Sequence, residues 1–419
     1  MEFFFPDSQD YVSPFFDFET EEQPVHRIRQ RDDKYAHEIL SKVPYDGILI
    51  SKAIVDGSVR GAGNYTSAQR QRIFRLGAHR YFRAITEKGR LPIMGDCGAF
   101  TYAAEPEPPY SVQEVVDFYQ SLGLDRGISV DHIIFGFISE EKKAKGIQPD
   151  PDWLVRRELT IQLAADFLRE VKARGRPFEP IGVAHGWDLA SYQLSVKELQ
   201  DIGYSRISMG GMVPLKTEDI LSVLGAVSDI RDRSTRLHLL GVTRTESMSK
   251  FSKFGVSSFD STSPFRQAFM DAHDNYYVLD RTYIALRVPQ VSGNANLKKR
   301  ILAGHIDHQE VRKIEKQCLD LLRRFDRGAA EVDEVVNALH TYELIYDTRG
   351  IDRSALCREV LEDAPWKNCK CGICQTVGIE VMLFRGSERN KRRGFHNLAV
   401  FRKRLEAAGV SNRQYKKNR

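Results

Sequence analysis

Short apolar runs alternate with longer amphipathic segments from about residue 45 onward. The apolar runs are too short for helices and are bounded by glycine, proline or aspartate, which is typical of buried parallel strands. The predicted strands are Tyr45–Ser51, Pro92–Asp96, Ile128–Asp131, Pro180–Ala184, Arg206–Met209, Leu237–Val242 and Ser257–Asp260, with the weaker Tyr283–Val288 as an eighth.

The segments between these strands carry helix-start signals. Ser111-x-x-Glu114 and Ser195-x-x-Glu198 predict capping boxes. Asp152 precedes a further helix, and Thr217 and Ser247 begin two more. About eight strand-helix units predict an α/β fold of the (β/α)8 TIM-barrel type, whose reactive groups lie at the C-terminal ends of the strands. A doubly wound open sheet is the alternative, but no G-x-G-x-x-G follows the first strand.

The flanking segments predict a division into four parts. Residues 1–44 form an N-terminal arm that is acidic and aromatic at its start, and residues 45–300 form the catalytic barrel. Residues 301–365 form a helical insertion. Residues 366–419 form a zinc-binding subdomain that ends in a basic tail.

The zinc prediction comes from cysteine spacing. Three of the six cysteines, Cys369, Cys371 and Cys374, fall within six residues, and His396 follows beside an apolar helical run. Three thiolates and one imidazole suit tetrahedral Zn²⁺, and a full set of four protein ligands indicates a structural site. The alternative is three unrelated cysteines near an unrelated histidine.

Charge is unevenly distributed along the chain. The net charge is only +5, yet Arg385–Arg419 holds twelve Lys and Arg against Glu388 and Glu406. A basic end on an acidic body indicates a polyanionic partner, although a solvated tail is the alternative. The candidate phosphate-binding residues are Lys391, Arg392, Arg393, Arg402, Lys403 and Arg404. No apolar run reaches membrane-spanning length, no signal peptide is visible, and sparse cysteine favours a reducing cytoplasm.

Polar residues cluster at the ends of the predicted strands. Asp96, Asp131 and Asp260 each end one strand, so a barrel would bring the three carboxylates to one mouth. His185 closes another strand, and Gly210-Gly211 leaves backbone amides approachable after a further one.

These segments together resemble tRNA-guanine transglycosylases. Gly95–Phe100 is similar to that family's D-S-G-G-F/Y segment, and Phe259–Thr262 is similar to its F-D-S/C nucleophile strand. Gly210–Leu215 resembles the archaeal G-x-V-V-P-L loop, and the cysteine cluster with His396 resembles the family's zinc site. Ala184-His185-Gly186 departs from the usual V-Q-G.

The resemblance implies a base-exchange reaction with two catalytic carboxylates. Asp260 would attack the nucleoside C1′ and form a covalent glycosyl-enzyme. Asp96 would act as general acid and base on the departing and arriving bases.

The resemblance also implies a base-binding set. Asp131 would accept hydrogen bonds from the N1–H and 2-amino edge of a guanine-like ring. His185 and the amide of Gly211, beside Gly210, would address the carbonyl side, and Phe100 would stack on the base.

Departures from the tRNA enzymes favour DNA as the nucleic acid. The helical insertion, the Ala184-His185-Gly186 segment and the short chain after His396 are similar to the DpdA-like branch, which inserts 7-deazaguanine bases into DNA. The Val213-Pro214-Leu215 loop favours free preQ0 as the incoming base. The expected partners are therefore DNA, the free base and other DNA-modification proteins. Action on tRNA and a non-catalytic nucleic-acid-binding subunit remain the alternatives.

Overall fold

The computed structural model describes residues 1–57, 61, 63–86 and 89–410. Eight parallel strands hydrogen-bond into a closed barrel in the order β1-β8-β7-β6-β5-β4-β3-β2. The strands are β1 Glu2–Pro6, β2 Gly47–Ser51, β3 Ile93–Asp96, β4 Arg126–Ile128, β5 Glu179–Ala184, β6 Arg206–Met209, β7 Arg236–Leu239 and β8 Val256–Asp260. The predicted barrel architecture is therefore confirmed.

The first barrel strand comes from the segment that the sequence analysis assigned to an N-terminal arm. β1 pairs with β8 through Phe4 and Asp260 and with β2 through Phe4 and Gly47, so it closes the ring. Its aromatic side chains are buried, and Phe3 stacks on Phe259 with ring centroids 5.1 Å apart. The short apolar run Phe3-Phe4-Phe5 carried this signal, which the neighbouring acidic residues obscured.

The prediction of Tyr283–Val288 as the eighth barrel strand was wrong. Thr282–Tyr283 pairs antiparallel with Tyr276–Tyr277, and Leu286–Arg287 pairs with Leu383–Phe384, each in a separate two-stranded sheet. With β1 already hydrogen-bonded between β8 and β2, the barrel offers no free edge for a further strand. Two more small sheets join Tyr11–Val12 to Lys34–Tyr35 and Ile85–Thr86 to Gly89–Arg90.

Helices fill the connections and the C-terminal third of the described chain. The α-helices are Ala36–Ile39, Lys52–Asp56, Ser67–Leu76, Ala78–Tyr81, Val112–Leu122, Glu140–Ala144, Pro151–Ala173, Leu189–Ile202, Thr217–Ile230, Met248–Lys253, Ser263–Met270, Ala295–Leu302, His308–Asp326, Val332–Tyr346, Ser354–Asp363, Pro365–Asn368, Gly372–Val377 and Gly386–Ala407. Short 3₁₀ turns occupy Ala99–Thr101, Thr245–Ser247 and Gly378–Met382. None of the helices in the described residues combines the length and apolar character that crossing a bilayer requires.

The two predicted capping boxes had different outcomes. Ser111 accepts a hydrogen bond from the Glu114 amide and Glu114 caps it in return, which confirms the first box. The second was wrong, because the helix begins at Leu189 behind the N-cap Asp188. Ser195 lies inside that helix, where its hydroxyl donates to the carbonyl of His185 over 2.7 Å.

The chain divides into two compact units, which differ from the four predicted segments. The first unit holds the barrel and comprises Met1–Gln9, Tyr45–Thr262 and the described residues from Arg404 onward. Its barrel interior is filled by Phe4, Leu49, Met94, Ile128, Ile181 and Val183. The barrel therefore ends near Thr262 instead of residue 300.

The second unit comprises Asp10–Pro44 and Ser263–Lys403. It contains the predicted helical insertion, observed as the helices His308–Asp326, Val332–Tyr346 and Ser354–Asp363, together with the cysteine cluster. The insertion and the cluster thus share one packed unit. The residues of the basic tail beyond Val410 lie outside the described part of the chain.

Candidate active site and metal centre

Three aspartates lie at the C-terminal mouth of the barrel. Asp96 ends β3 and Asp260 ends β8, whereas Asp131 lies three residues beyond the end of β4. In a parallel barrel these strand ends face the same opening, and the electrostatic influence of Asp131 and Asp260 on Asp96 agrees with their proximity. The structure therefore brings the three predicted carboxylates together.

Asp96 has the ionisation of a group that exchanges protons near neutral pH. Burial and the negative charges of Asp131 and Asp260 raise the pKa of Asp96 to about 7, although hydrogen bonds from Ser51 and the Gly98 amide act in the opposite direction. Gly98 has a φ of +90°, and a Cβ there would lie 2.5 Å from the Cβ of Ala53. The turn after β3 therefore requires glycine to keep its amide close to the carboxylate.

Asp131 is held on both carboxylate oxygens. Oδ2 accepts from His185 Nε2 at 2.7 Å, and Oδ1 accepts from the Cys97 thiol at 3.1 Å. The Tyr102 hydroxyl donates to the Asp131 carbonyl at 3.1 Å. Each oxygen keeps a further lone pair, so the carboxylate remains able to accept hydrogen bonds from a ligand.

His185 joins this carboxylate to the glycine pair after β6. Its Nδ1 is buried and has no hydrogen-bond partner among the described residues. A Cβ on Gly210 would lie 2.3 Å from His185 Cε1, and Gly211 has a φ of +72° with a virtual Cβ 2.5 Å from the Ile134 carbonyl. Both glycines are therefore required for the loop to pass close to the imidazole.

Asp260 is positioned through one of its two oxygens. Oδ1 accepts from the Gly241 amide at 3.0 Å and lies 3.2 Å from His238 Nε2. His238 is fully buried, and its Nδ1 lies 2.9 Å from the Ser258 hydroxyl. Among the described residues, none forms a hydrogen bond with Oδ2.

Phe100 lies in the turn after β3 and is 57% exposed. Its ring contacts that of Phe135 with centroids 5.4 Å apart, and Phe135 is itself 45% exposed. Two exposed aromatic rings in contact offer a stacking surface for a planar ligand.

The second unit brings the four predicted metal ligands together. His396 Nδ1 lies 3.4 Å from Cys369 Sγ, 3.4 Å from Cys371 Sγ and 3.3 Å from Cys374 Sγ. A tetrahedral Zn²⁺ ion with bonds of about 2.0–2.3 Å separates its ligand atoms by roughly 3.5–3.8 Å. The donor set and its spacing therefore fit a closed four-ligand site.

Neighbouring side chains orient the imidazole of this cluster. His396 Nε2 donates to the Tyr277 carbonyl at 2.8 Å, so the lone pair of Nδ1 points to the sulfurs. Tyr276 stacks on the imidazole at 3.9 Å, and its hydroxyl lies 3.2 Å from Cys374 Sγ. These contacts are typical of the outer shell of a metal site.

The helix that carries His396 begins earlier than predicted. It runs from Gly386 to Ala407 and includes the basic segment, whereas the sequence analysis placed its start near His396. Positions 389, 393 and 396 recur at helical spacing, so the arginines share the buried face of the histidine.

Two of the predicted phosphate-binding residues therefore do not face solvent. Arg393 is fully buried and donates to the carbonyls of Ala268, Val381 and Leu383 over 2.7–3.0 Å. Arg392 is 3% exposed and donates to Glu388 and the Ser13 carbonyl. The prediction that both bind nucleic acid was wrong, because their guanidinium groups already satisfy buried acceptors.

The remaining basic candidates differ in exposure. Lys391 is half-buried, and its Nζ lies 5.0 Å from the ring centroid of Tyr11. Lys403 is exposed, whereas Arg402 and Arg404 are partly buried. Contact of these four residues with nucleic acid stays a prediction.

Residue-by-residue prediction missed four contributors to the site: Cys97, Tyr102, Phe135 and His238. Cys97 entered only as part of the segment Gly95–Phe100, and His238 only as part of the predicted strand Leu237–Val242. The alternation of side chains along a strand identifies positions 238 and 240 as one face, but it does not show what that face contacts.

Comparison with known proteins identifies one relative over nearly the whole chain. A protein from Salmonella montevideo described as a DNA-guanine transglycosylase is 44% identical over 411 residues, which cover 97% of each chain. No protein-family model matches the chain.

Proposed function

The chain belongs to the DNA-guanine transglycosylase family, and from this premise we propose that it exchanges guanine in DNA for a free 7-deazaguanine base through a covalent aspartyl-glycosyl intermediate. The observation that carries the proposal is the group of three carboxylates at the barrel mouth. One of them, Asp96, has a pKa raised to about 7, and another, Asp260, keeps one oxygen unengaged by the described contacts.

The first half-reaction uses these two aspartates in different protonation states. Asp260 attacks C1′ of the target nucleotide with a lone pair, and the C1′–N9 bond breaks as its electron pair leaves with guanine. Protonated Asp96 gives its proton to the departing base. In the second half-reaction, ionised Asp96 takes the proton from N9 of the incoming base. N9 then attacks C1′, and the ester electron pair returns to Asp260.

The incoming base is held by the groups around Asp131. A 7-deazaguanine presents N1–H and a 2-amino group, which two lone pairs of Asp131 accept. The Gly211 amide donates to the carbonyl side, His185 holds Asp131 through Nε2, and Phe100 stacks on the ring. The loop Gly210–Leu215 contains no carboxylate to pair with an ammonium group, which supports an uncharged 7-substituent such as the nitrile of preQ0.

The target nucleotide must leave the helix stack to reach Asp260. In a duplex, C1′ and N9 of a stacked nucleotide are not accessible to side chains at the strand ends of the barrel. The enzyme therefore acts on a flipped or unpaired nucleotide. The exposed pair Phe100 and Phe135 supports this, because unstacked bases need a stacking partner.

The cysteine cluster binds structural Zn²⁺ in this proposal. Cys369, Cys371, Cys374 and His396 supply four ligands and leave no open position, so the ion contributes stability to the fold that holds it.

The test is base exchange by purified protein. An oligodeoxynucleotide with labelled guanine should release the label when preQ0 is added, and digestion should yield the corresponding 7-deazaguanine deoxynucleoside. Asp260→Asn and Asp260→Ala should lower the rate by about 10⁴-fold or more without loss of fold, because the nucleophile is removed.

The same assay distinguishes the alternatives. Exchange into tRNA but not into DNA would contradict the DNA assignment. Binding of DNA without any exchange, under conditions in which the relative is active, would favour a non-catalytic subunit. Full activity of both Asp260 variants would remove Asp260 from the mechanism.

A further inference from the structure

Two buried residues, His238 and Ser258, form a hydrogen-bonded chain that ends at Asp260 Oδ1. We propose that His238 and Ser258 are positioning residues that fix the Asp260 carboxylate so that Oδ2 is the attacking oxygen. This inference rests on the proposed function, because it specifies the geometry of the same nucleophile.

The direction of the hydrogen bonds follows from the carboxylate. An ionised carboxylate only accepts, so His238 Nε2 carries the proton that bridges the 3.2 Å to Asp260 Oδ1. In the neutral imidazole, Nδ1 is then the acceptor, and the Ser258 hydroxyl donates to it over 2.9 Å. Ser258 therefore selects the tautomer that His238 needs to hold Asp260.

The barrel register builds this arrangement. Ser258 precedes Asp260 by two residues on β8, so both side chains project from the same face of the strand. His238 on β7 pairs directly with Ser258. His238 and Ser258 are fully buried, and Phe4 packs edge-on against the imidazole with centroids 6.2 Å apart. The ring is therefore held against rotation on several sides.

The two Oδ1 donors act differently in the two states of the reaction. In the free enzyme, the Gly241 amide and His238 hold Oδ1, and Oδ2 presents its lone pair to C1′. In the ester, Oδ2 is bonded to C1′ and Oδ1 is the carbonyl oxygen. When the incoming base displaces Asp260, negative charge returns to the carboxylate, and preorganised donors stabilise that developing charge.

Two substitutions of His238 distinguish the role of its Nε2 from the role of its Nδ1. Gln places an amide N–H near the position of Nε2, whereas Asn places its amide near Nδ1. His238→Asn should therefore lower kcat by about 100-fold, the usual effect of losing one preorganised donor. His238→Gln should recover most of that loss, and KM for preQ0 should be the same in both variants.

Ser258→Ala tests the tautomer without changing the histidine. Loss of one neutral hydrogen bond should lower kcat by about three- to tenfold, again with KM for preQ0 unchanged. Ser208→Ala is the matched control. Ser208 is buried on β6 in register with His238, and its hydroxyl has no partner among the described residues. Its activity should equal that of the wild type.

The measurement is steady-state release of labelled guanine at varied preQ0, which gives kcat and KM, with thermal unfolding followed in parallel. Equal kcat for His238→Asn and His238→Gln, or a change confined to KM, would overturn the positioning role. If His238→Asn fails to fold, Ser258→Ala against Ser208→Ala decides the question, and equal kcat for these two would overturn it. Failure of the proposed function is distinguishable, because the wild type would then release no guanine, or Asp260→Asn would remain as active as the wild type.

Discussion

At the scale of single residues, the environment of Asp96 determines what that carboxyl group can do. It is partly buried beside two other carboxylates, and the Ser51 and Gly98 hydrogen bonds only partly offset this environment. The resulting pKa of about 7 makes both protonation states accessible at neutral pH. A group that must donate a proton in one half-reaction and accept one in the next requires this balance.

The pH dependence of guanine release should report this ionisation. If Asp96 is the proposed general acid, release needs its protonated form, so the single-turnover rate should fall as the pH rises through about 7. Asp131→Asn removes one neighbouring negative charge and should move the midpoint to lower pH, whatever its effect on base affinity. A midpoint that is unchanged in Asp131→Asn would contradict the coupling.

The same ionisation should appear in stability with a definite sign. The folded-state pKa of Asp96 is raised above its ordinary value of 3.8, so its favourable contribution is complete below that value and is lost as the pH passes about 7. Asp96→Asn should therefore be more stable than the wild type at pH 8, by about 2 kcal/mol. This is half of the roughly 4 kcal/mol that three pKa units represent, because the group is partly exposed. Urea denaturation at pH 5 and pH 8 measures the difference.

At the scale of elements, the loop after β6 packs closely against His185, which follows β5. Gly210 lies so close to His185 that a single methyl group has no space. The loop therefore determines the position of the imidazole, and through it the position of Asp131.

Gly210→Ala should disturb base binding without unfolding the barrel. The new methyl group would displace His185 and with it Asp131, and a weakened hydrogen bond between Asp131 and the base should raise KM for preQ0 roughly fivefold or more. Gly225→Ala is the matched control, since its Cβ would meet only a Phe254 side-chain atom at 3.9 Å. Steady-state kinetics with varied preQ0 compares the two, and equal KM values would exclude the proposed contact.

The candidate metal cluster brings together a short helix and a long one. Cys371 is the N-cap of Gly372–Val377, Cys374 lies within that helix, and His396 belongs to Gly386–Ala407. An ion bound by all of them would cross-link two helices whose nearest ligands, Cys374 and His396, are 22 residues apart in the sequence. The expected contribution is to stability and not to the reaction, because no coordination position remains open.

Cys371→Ser should therefore lower zinc content and thermal stability together. The melting temperature should fall by about 2–4 °C for each kcal/mol lost. Cys357→Ser is the control, since Cys357 is also a buried free cysteine but lies outside the cluster. Elemental analysis should find one zinc per chain in the wild type and in the control. Stoichiometric zinc in a Cys369→Ser/Cys371→Ser variant would refute the ligand set.

At the scale of the whole molecule, much of the charge that suggested a polyanion site is internal. Arg389 pairs with Glu380 at 2.6 Å and contacts Glu21, and Arg385 pairs with Glu21 and Glu315. Together with Arg392, which donates to the Ser13 carbonyl, these residues connect the segment Asp10–Pro44 to the C-terminal helices of the second unit. Local net charge in the sequence therefore overstates the positive surface.

Replacement of Arg393 by Ala should therefore affect stability, whereas replacement of Lys403 by Ala should affect only DNA binding. Arg393→Ala leaves three buried carbonyls without a donor and should lower the free energy of unfolding by about 3 kcal/mol or more. Lys403→Ala should leave stability unchanged. If the exposed Lys403 contacts a phosphate, this variant should reduce the log-log salt slope of duplex binding by roughly 0.9. Denaturation and fluorescence anisotropy across a salt titration test both, and an unchanged slope in Lys403→Ala would show that this residue faces solvent.

The sequence alone determined the architecture and the chemistry-bearing strand ends. The short apolar runs identified seven of the eight barrel strands, because a parallel strand that is buried on both faces needs such a run at any position in the barrel. Close cysteine spacing identified three of the four residues of the candidate metal cluster, because local chain geometry brings such residues together. Asp96, Asp131 and Asp260 followed from the rule that parallel strands present their C-terminal ends to one mouth.

Only the tertiary structure decided what depends on contacts between distant segments. The barrel strand that the sequence did not reveal is β1, Glu2–Pro6. It closes the ring through hydrogen bonds to β8 and β2, and no local pattern specifies those bonds. Arg392 and Arg393 are buried because their acceptors come from residues far away in sequence, such as Ser13 and Ala268. The Ser258-His238-Asp260 arrangement arises from the register of two neighbouring strands. Register is set by the packing of the whole barrel, so it is not encoded in either strand by itself.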